Sequence, residues 1–296
     1  MAVTSTAHPS TGMLAGHPVR RIGFGAMQLE FRKTSAEVRE SAPAVLRRAV
    51  ELGVNHIDTA QFYGDGTLNR VIGETLHAER DNLVIVSKLG AEHVAGSGLV
   101  AAQRPEQLRA QVEANLTSLG LQQIPVVNLR RADTAPGIIA TGDQSVDLDA
   151  QLAALSDLRA EGKIGAIGLS NVSLSQLQQA LPAGIVCVQN MYNVLERADE
   201  PILQLCLSNN IAWVPFFPLG SGFPGQPKVA DQPDVIVIAR RLDVTPAQVA
   251  LAWLLAHAPN ILLIPGTANM LHLAENVAIE SIRLDEEAMS TLEELV

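Results

Sequence analysis

Short apolar runs alternate with amphipathic stretches roughly every 30 residues from Ile22 onward, and this alternation restricts the fold more than any other feature of the chain. The runs are IGFGAM at Ile22, HIDTA at His56, LVIVSKLG at Leu83, Ile124 to Leu129, IGAIGLS at Ile164, IVCVQN at Ile185, AWVPFFPLG at Ala212 and ILLIPGT at Ile261. A run such as LVIVSKLG is too short for a helix and too apolar for an edge strand, which suits a strand buried on both faces of a parallel sheet. The pattern predicts an α/β fold, a (β/α)8 TIM barrel, with a doubly wound open sheet as the competing arrangement. Polar residues at the strand exits favour the barrel: Asp58, Lys88, Arg130, Ser170, Asn171, Gln189 and Gly266-Thr267. A barrel gathers such exits on one rim, whereas an open sheet spreads them along a line.

Ahead of the first run, Thr11 to Leu14 and Val19 to Ile22 flank Ala15-Gly16-His17-Pro18, which predicts a β-hairpin that plugs or covers one end of the fold. Gly23 and Gly25 do not make a dinucleotide fingerprint, because the third glycine of GxGxxG would fall at Gln28. Val45, Leu46, Ala49 and Val50 mark a helix expected to start near Ser41, with Pro43 in its first turn. The stripe Leu68, Val71, Ile72 and Leu76 marks the next, and Leu108, Val112, Leu116 and Leu119 lie on a helix opened by Pro105 and closed by Gly120. Further helices are expected after Asp147 or Asp149, over Leu174 to Leu181, around Ile202 to Leu207, and over Val235 to Leu242 and Pro246 to His257; extra C-terminal helices run from Leu271 and from Asp285. No low-complexity linker interrupts residues 1–296, so a single domain is expected. The loops 29–34, 93–104 and 221–234 are expected to shape the substrate pocket.

The chain has 47% hydrophobic and 18% charged residues, enough apolar material for a large core. Its formal charge of -10 argues against a nucleic-acid surface and leaves small molecules as the expected partners. No apolar run approaches the roughly 18 residues of a membrane span and no signal-peptide pattern opens the chain, so a cytoplasmic location is expected. Cys187 and Cys206 both sit in apolar surroundings and are expected to be buried thiols rather than a disulfide or a nucleophile. The histidines are scattered; no metal site is expected, and His56 reads as a packed strand residue.

The densest chemistry lies in GVNHIDTAQFYG, where Tyr63 follows Asp58 by five residues. A phenol with an ordinary pKa near 10 is a poor acid at neutral pH unless a neighbour favours the phenolate. Lys88, itself held charged by Asp58, would pull that pKa down and make Tyr63 a tuned acid. Such an acid, without a nucleophile or metal, suits carbonyl reduction with hydride from a nicotinamide. Ser170, Asn171 and Gln189 offer partners for a carboxamide, Phe216 offers a face for a ring, and Gly266-Thr267 is expected to open the last helix with N–H groups able to hold a phosphate. Side-chain alternation predicts that one of Phe216 and Phe217 packs inward, with Phe216 the stacking face.

Together DTAQFYG, VSKLG, GLSNVS, VQNMYN, FFPLG and IPGT followed by ENV, in that order from about Ile22 to Asn276, resemble the aldo-keto reductase family. The resemblance implies NADP(H) bound without a Rossmann domain and a catalytic set of Asp58, Tyr63 and Lys88. It also implies cofactor contacts from Ser170, Asn171, Gln189, Phe216, Pro218, Leu219, Gly220, Gly266, Thr267, His272, Glu275 and Asn276. Two positions depart from the family pattern. Arg130 of VVNLRR stands where the family usually has a His; an arginine does not relay a proton but can orient a carbonyl oxygen and stabilise a developing alkoxide. His272 stands where the family often has an Arg for the 2'-phosphate, which leaves NADPH favoured and NADH open.

VVNLRR, with GVNHIDT and NILLIPGT, is similar to a bacterial branch of the family that includes pyridoxal reductases. That implies an aromatic aldehyde with an acidic phenol, for which Arg130 or Arg131 would be the anion partner; Arg131 reads equally well as a salt-bridged residue. The alternative from another class is a nicotinamide-binding regulatory subunit without turnover, and the residues would also serve alcohol oxidation. Oligomeric state leaves no trace in the sequence.

Overall fold

The computed structural model describes residues 10–31, 35–135, 137–220 and 227–295; the parts of the pocket loops at 32–34 and 221–226 lie outside these. Strands β1 (Thr11–Leu14) and β2 (His17–Arg20) form an antiparallel hairpin. Its turn is shorter than the sequence suggested: only Ala15 and Gly16, with φ 51° and 81°, separate the paired ends. Two successive left-handed residues match the twist of the flanking strands, so His17 and Pro18 join the strand. The chain then runs β3 (Phe24–Gly25), α1 (Met27–Phe31), α2 (Ser35–Glu51), β4 (His56–Asp58), α3 (Thr67–Thr75) and β5 (Val84–Leu89). A second hairpin, β6 (Ala91–Val94) and β7 (Gly98–Ala101), occupies much of what the sequence left as a loop after residue 93. Next come α4 (Pro105–Leu119), β8 (Ile124–Arg130), α5 (Leu148–Ala160), β9 (Ile164–Ser170), α6 (Leu174–Ala180), β10 (Ile185–Gln189), α7 (Glu200–Ser208) and β11 (Ala212–Trp213). The chain ends with α8 (Pro233–Leu242), α9 (Pro246–His257), α10 (Met270–Ala278) and α11 (Glu286–Glu293).

Seven strands pair in parallel in the order β11-β10-β9-β8-β5-β4-β3. Residues 261–263 complete the ring through parallel bridges Trp213↔Ile261 on one side and Ile22↔Leu263 on the other. The seam is hydrogen-bonded on both flanks: Leu262 N donates to Trp213 O at 2.8 Å, and Leu263 N donates to Arg21 O at 2.7 Å. Closure excludes the doubly wound alternative, whose terminal strands would remain edges. Arg21, 1% exposed, reinforces the seam by donating to the carbonyls of Ile261 and Ala258.

The glycines of IGFGAM serve this closure. A Cβ on Gly25 would stand 2.4 Å from Ile264 O, and one on Gly266 would stand 2.2 Å from Gly25 O, so first and last strands approach where only glycine fits. A Cβ on Gly23 would meet His56 Nε2 at 2.1 Å, so the imidazole fills the space that this glycine leaves inside the barrel. Below it, Leu14 and Val19 of the hairpin pack with Val84, Val126, Ala166, Ala212 and Leu262, plugging the end opposite the strand exits.

Helix α2 begins at Ser35, not near Ser41, and carries Pro43 in its interior. A proline there removes one backbone hydrogen bond and crowds the preceding turn, at a cost of about 3 kcal/mol. Burial of Ala42, Val45, Leu46 and Ala49 against Ile57, Leu68 and Ile72 keeps the helix continuous through it. Among the described residues no helix is long and apolar enough to cross a membrane.

His56 makes the fold acid-sensitive. It is 1% exposed, neither ring nitrogen has a partner, and burial lowers its pKa from 6.5 to about 4. Between those values the unfolded chain binds a proton that the native protein refuses, so stability falls as pH drops from 6.5 toward 4 and levels below that window. Urea unfolding of the wild type is expected to lose about 3 kcal/mol across the window through this residue, and His56→Leu should flatten the profile by a similar amount. Parallel profiles would contradict the assignment.

Candidate active site

Alternation along the strands builds the site. The side chains of Val84, Val86, Val126, Ala166 and Cys187 belong to the apolar filling of the barrel, so Lys88, Arg130, Ser170 and Gln189, at even spacing from them, project from the same inner face one or two steps nearer the strand exits. The register sets them side by side: Gly25 is opposite Asp58, Lys88 opposite Asn128, and Arg130 and Gln189 both pair with Ser170. The inner face is thus apolar at the plugged end and polar at the open rim.

At the rim the Lys88 ammonium donates to Asp58 Oδ1, to Thr59 O at 3.0 Å and to Tyr63 Oη at 3.3 Å. An ammonium has three protons, and these three acceptors account for all of them. Tyr63 Oη receives from Lys88, so the phenol's own proton is directed elsewhere. The other Asp58 oxygen, Oδ2, accepts from Gln189 Nε2 at 2.6 Å. Lys88 is 8% and Asp58 4% exposed, so the pair is shielded from solvent. Burial opposes the Lys88 charge, but attraction to Asp58 and then Tyr63, with the hydrogen bonds to both, holds its pKa above the ordinary lysine value. The ammonium is therefore a fixed charge through neutral pH.

The sequence predicts that this charge brings the Tyr63 pKa below its ordinary value; the structure reverses the sign. Burial of the phenol is the largest influence and raises its pKa, Lys88 and Arg130 lower it, Asp58 adds to the rise, and the net shift is upward. The cations restrain the rise rather than producing a net fall. Arg130 is itself half-buried, and desolvation lowers its pKa while the nearby Tyr63 opposes that change. Its guanidinium passes close to Gly137, whose added Cβ would lie 2.5 Å from Nη2. Arg131 turns away: it pairs with Asp133 at 2.5 Å and donates to Val146 O at 3.0 Å and to Gln151 of α5.

Two buried atoms beside this group have no partner, Ser170 Oγ and Gln189 Oε1. A hydroxyl donor and an amide acceptor on neighbouring strands match the oxygen and nitrogen of a carboxamide, so these residues fit a nicotinamide. Asn171, at φ 58°, instead spends its amide nitrogen on Thr134 O at 2.8 Å and Arg131 O at 3.3 Å. Phe216 continues the strand, its N–H donating to Asn190 O at 3.0 Å, whereas Phe217 adopts φ 53°. That left-handed residue breaks the alternation, so neither ring packs into the core; both stay half-buried, edge to face at 5.2 Å. Pro218, Leu219 and Gly220 follow in a loop in which Gly220, φ 86°, lies against Pro227 O.

Gly266 and Thr267 do not open a helix. Thr267 Oγ1 accepts from Asn269 N at 3.0 Å, and Asn269 caps α10 by accepting from Leu271 N and His272 N. Helix α11 then follows, so α10 is not the last helix either. On α10 His272 is exposed and Asn276 buried, while Glu275 offers its carbonyl to Gln248 Nε2. Among the described residues no group of three or more His, Cys, Asp or Glu is placed to hold a metal ion. Both cysteines are buried and burial raises their pKa, Cys206 to about 12.

Sequence reasoning missed the groups that hold the rim from behind. Gln103 Nε2 donates to Gly90 O at 2.6 Å and Arg130 O at 2.8 Å, and the Oε1 of the same amide accepts from Gln151 Nε2 at 3.0 Å. The carbonyl of Thr59, an acceptor for Lys88, was also missed, since a backbone group leaves no mark in side-chain patterns.

Over residues 21–296 the chain matches the Aldo/keto reductase family. It is 42% identical over 291 residues to pyridoxine 4-dehydrogenase of Escherichia coli strain K12, covering 96% of this chain and 97% of that protein. Among solved structures it is similar to an aldo/keto reductase from Klebsiella pneumoniae in complex with NADP and acetate, at TM-score 0.78 and 26% identity over 97% of this chain and 95% of that one. It is also similar to a thermostable aldo-keto reductase, Tm1743, in complex with the inhibitor epalrestat, at TM-score 0.80 and 28% identity over 97% and 99% of the two chains.

The Lys88–Asp58 contact yields a stability test. Lys88→Met leaves a buried carboxylate without its cation and is expected to cost about 3–5 kcal/mol in chemical denaturation. Adding Asp58→Asn removes the uncompensated charge, so the double variant should regain a substantial part of the loss; a simple sum of the two single losses would contradict the pairing.

Proposed function

The chain belongs to the aldo/keto reductase family, and we propose that it uses NADP(H) to reduce an aldehyde or ketone to the alcohol with Tyr63 as the proton donor, taking pyridoxal to pyridoxine. The observation that carries the reading is the arrangement of the Lys88 protons on Asp58, Thr59 O and Tyr63 Oη. With Oη accepting from Lys88, the phenol keeps its own proton for an outside acceptor, and a substrate carbonyl oxygen is that acceptor.

The bound nicotinamide supplies hydride to the carbonyl carbon. Ser170 and Gln189 would hold its carboxamide through their unpartnered oxygens, and Phe216 would offer a face to the ring. Asn171, Pro218, Leu219, Gly220, Gly266, Thr267, His272, Glu275 and Asn276 would hold the rest of the cofactor. Tyr63 gives its proton to the oxygen as charge builds there. Lys88 remains protonated and stabilises the phenolate left behind, while Asp58, held by Lys88 and Gln189, keeps that ammonium charged. Arg130 orients the oxygen and offsets its charge, the task open to a residue that does not itself exchange a proton.

Pyridoxal is supported by the 42% identity to a protein named for pyridoxine oxidation and by Arg130, which suits a substrate with an acidic phenol. The same groups run the reaction in reverse, with the Tyr63 phenolate accepting the alcohol proton. Residues 1–296 act as one domain on a small molecule, and the two buried thiols agree with a reducing, cytoplasmic setting.

Oxidation of NADPH in the presence of pyridoxal and a panel of simple aldehydes tests the proposal. Pyridoxal is expected to be turned over, and Tyr63→Phe to lower kcat by about 10²–10⁴-fold. Activity on the panel with none on pyridoxal would remove the substrate assignment, and undiminished reduction by Tyr63→Phe would remove the proton donor. Replacing NADPH by NADH is expected to raise KM for the cofactor; equal KM values would assign no 2'-phosphate role to His272.

A further inference from the structure

Behind Tyr63 lies a buried, uncharged side-chain network that none of the functions above uses. Asn69, on α3, is 0% exposed and is its hub. Its Oδ1 accepts from Thr59 Oγ1 at 2.8 Å, and its Nδ2 lies 2.9 Å from Gln61 Oε1, 3.0 Å from Asn115 Oδ1 and 3.3 Å from Ser118 Oγ. Asn115 is fixed in turn by Ser87 Oγ at 2.5 Å and by donating to Gln111 O at 2.8 Å, while Ser118 Oγ donates to Gln61 Oε1 at 2.7 Å. Asn69 thus grips two residues of one turn, Thr59 and Gln61, and ties them to the strand that carries Lys88 and to α4. Thr59 supplies the carbonyl that Lys88 holds, and Tyr63 lies two residues beyond Gln61.

On the reading under Proposed function, we infer that Asn69 is a positioning residue for the reduction: by clamping Thr59 and Gln61 it keeps Tyr63 within hydrogen-bonding reach of Lys88. The Lys88 Nζ to Tyr63 Oη contact, at 3.3 Å, is the longest of the three that the ammonium makes, so a small drift of the turn breaks it first. None of the side chains in the clamp titrates. A change in pH profile on altering Asn69 is therefore transmitted to Tyr63 through Lys88, whereas a loss of stability alone leaves the profile in place.

A double-mutant cycle tests this with a non-ionising aldehyde and saturating NADPH. Asn69→Leu is expected to lower kcat about 10–100-fold, as for a misplaced reacting group, with little change in KM for NADPH. Its alkaline limb should move to higher pH, because a phenol that loses its contact with the ammonium binds its proton more tightly. In a Lys88→Met background the same substitution should change kcat by less than about 2-fold. Thr59→Val removes the clamp's hydroxyl with little change of shape and should shift the limb in the same direction; it carries the test if Asn69→Leu fails to fold. An unmoved limb in Thr59→Val and Asn69→Leu, or additive losses in the Lys88→Met background, would overturn the inference. If Tyr63→Phe itself reduces aldehydes normally, the reading beneath it fails instead.

Discussion

A lysine ammonium buried at the rim of a closed barrel is the constraint on which the rest of the site depends. Desolvation works against the charge, and Lys88 keeps it because all three protons have acceptors and one acceptor is a carboxylate. A buried ion pair is weak evidence for stability, since desolvation consumes most of the attraction. Its value here is directional: the ammonium sits at the foot of a phenol and decides where that phenol's proton points. Gln189 extends the effect by occupying the second Asp58 oxygen with one end of its amide and leaving the other end unpartnered.

The barrel supplies what this arrangement needs. Closure between residues 261–263 and the first strand brings five rim residues onto one circle, and the reciprocal approach at Gly25 and Gly266 allows the seam to close tightly. The hairpin fills the far end with Leu14 and Val19, so polar groups accumulate at the open end only. Outside the ring, amide side chains set the rim: Asn69 and Asn115 behind Tyr63, Gln103 and Gln151 behind Arg130. Amides suit the task because they donate and accept without adding charge beside a tuned ion pair.

Much of this was legible in the sequence because strand burial on two faces leaves continuous apolar runs, and because Asp58, Lys88, Arg130, Ser170 and Gln189 each end one. What was not legible depends on tertiary context. Pro43 signals a helix start by local rule, but packing of α2 carries the helix through it. Phe217 breaks alternation through a left-handed backbone that its own side chain does not announce. Asn269, not Gly266-Thr267, caps α10, a choice made by a turn that Thr267 closes. The net direction of the Tyr63 shift required knowing how deeply the phenol is buried against how near its cations lie. Asn69 resembles any polar residue on a helix until its neighbours are known.

The central claim is that Lys88 acts on Tyr63 through their contact, restraining the rise that burial imposes on the phenol. Single-turnover reduction of a non-ionising aldehyde, followed as a function of pH in wild type and in Lys88→Met, tests it most directly. With Tyr63 as the proposed donor, reduction requires the protonated phenol and is lost as pH rises through its pKa. Loss of the ammonium should therefore lower the rate at neutral pH and move the alkaline limb upward. A Lys88→Met profile that superimposes on the wild type, in rate and in the position of that limb, would contradict the account.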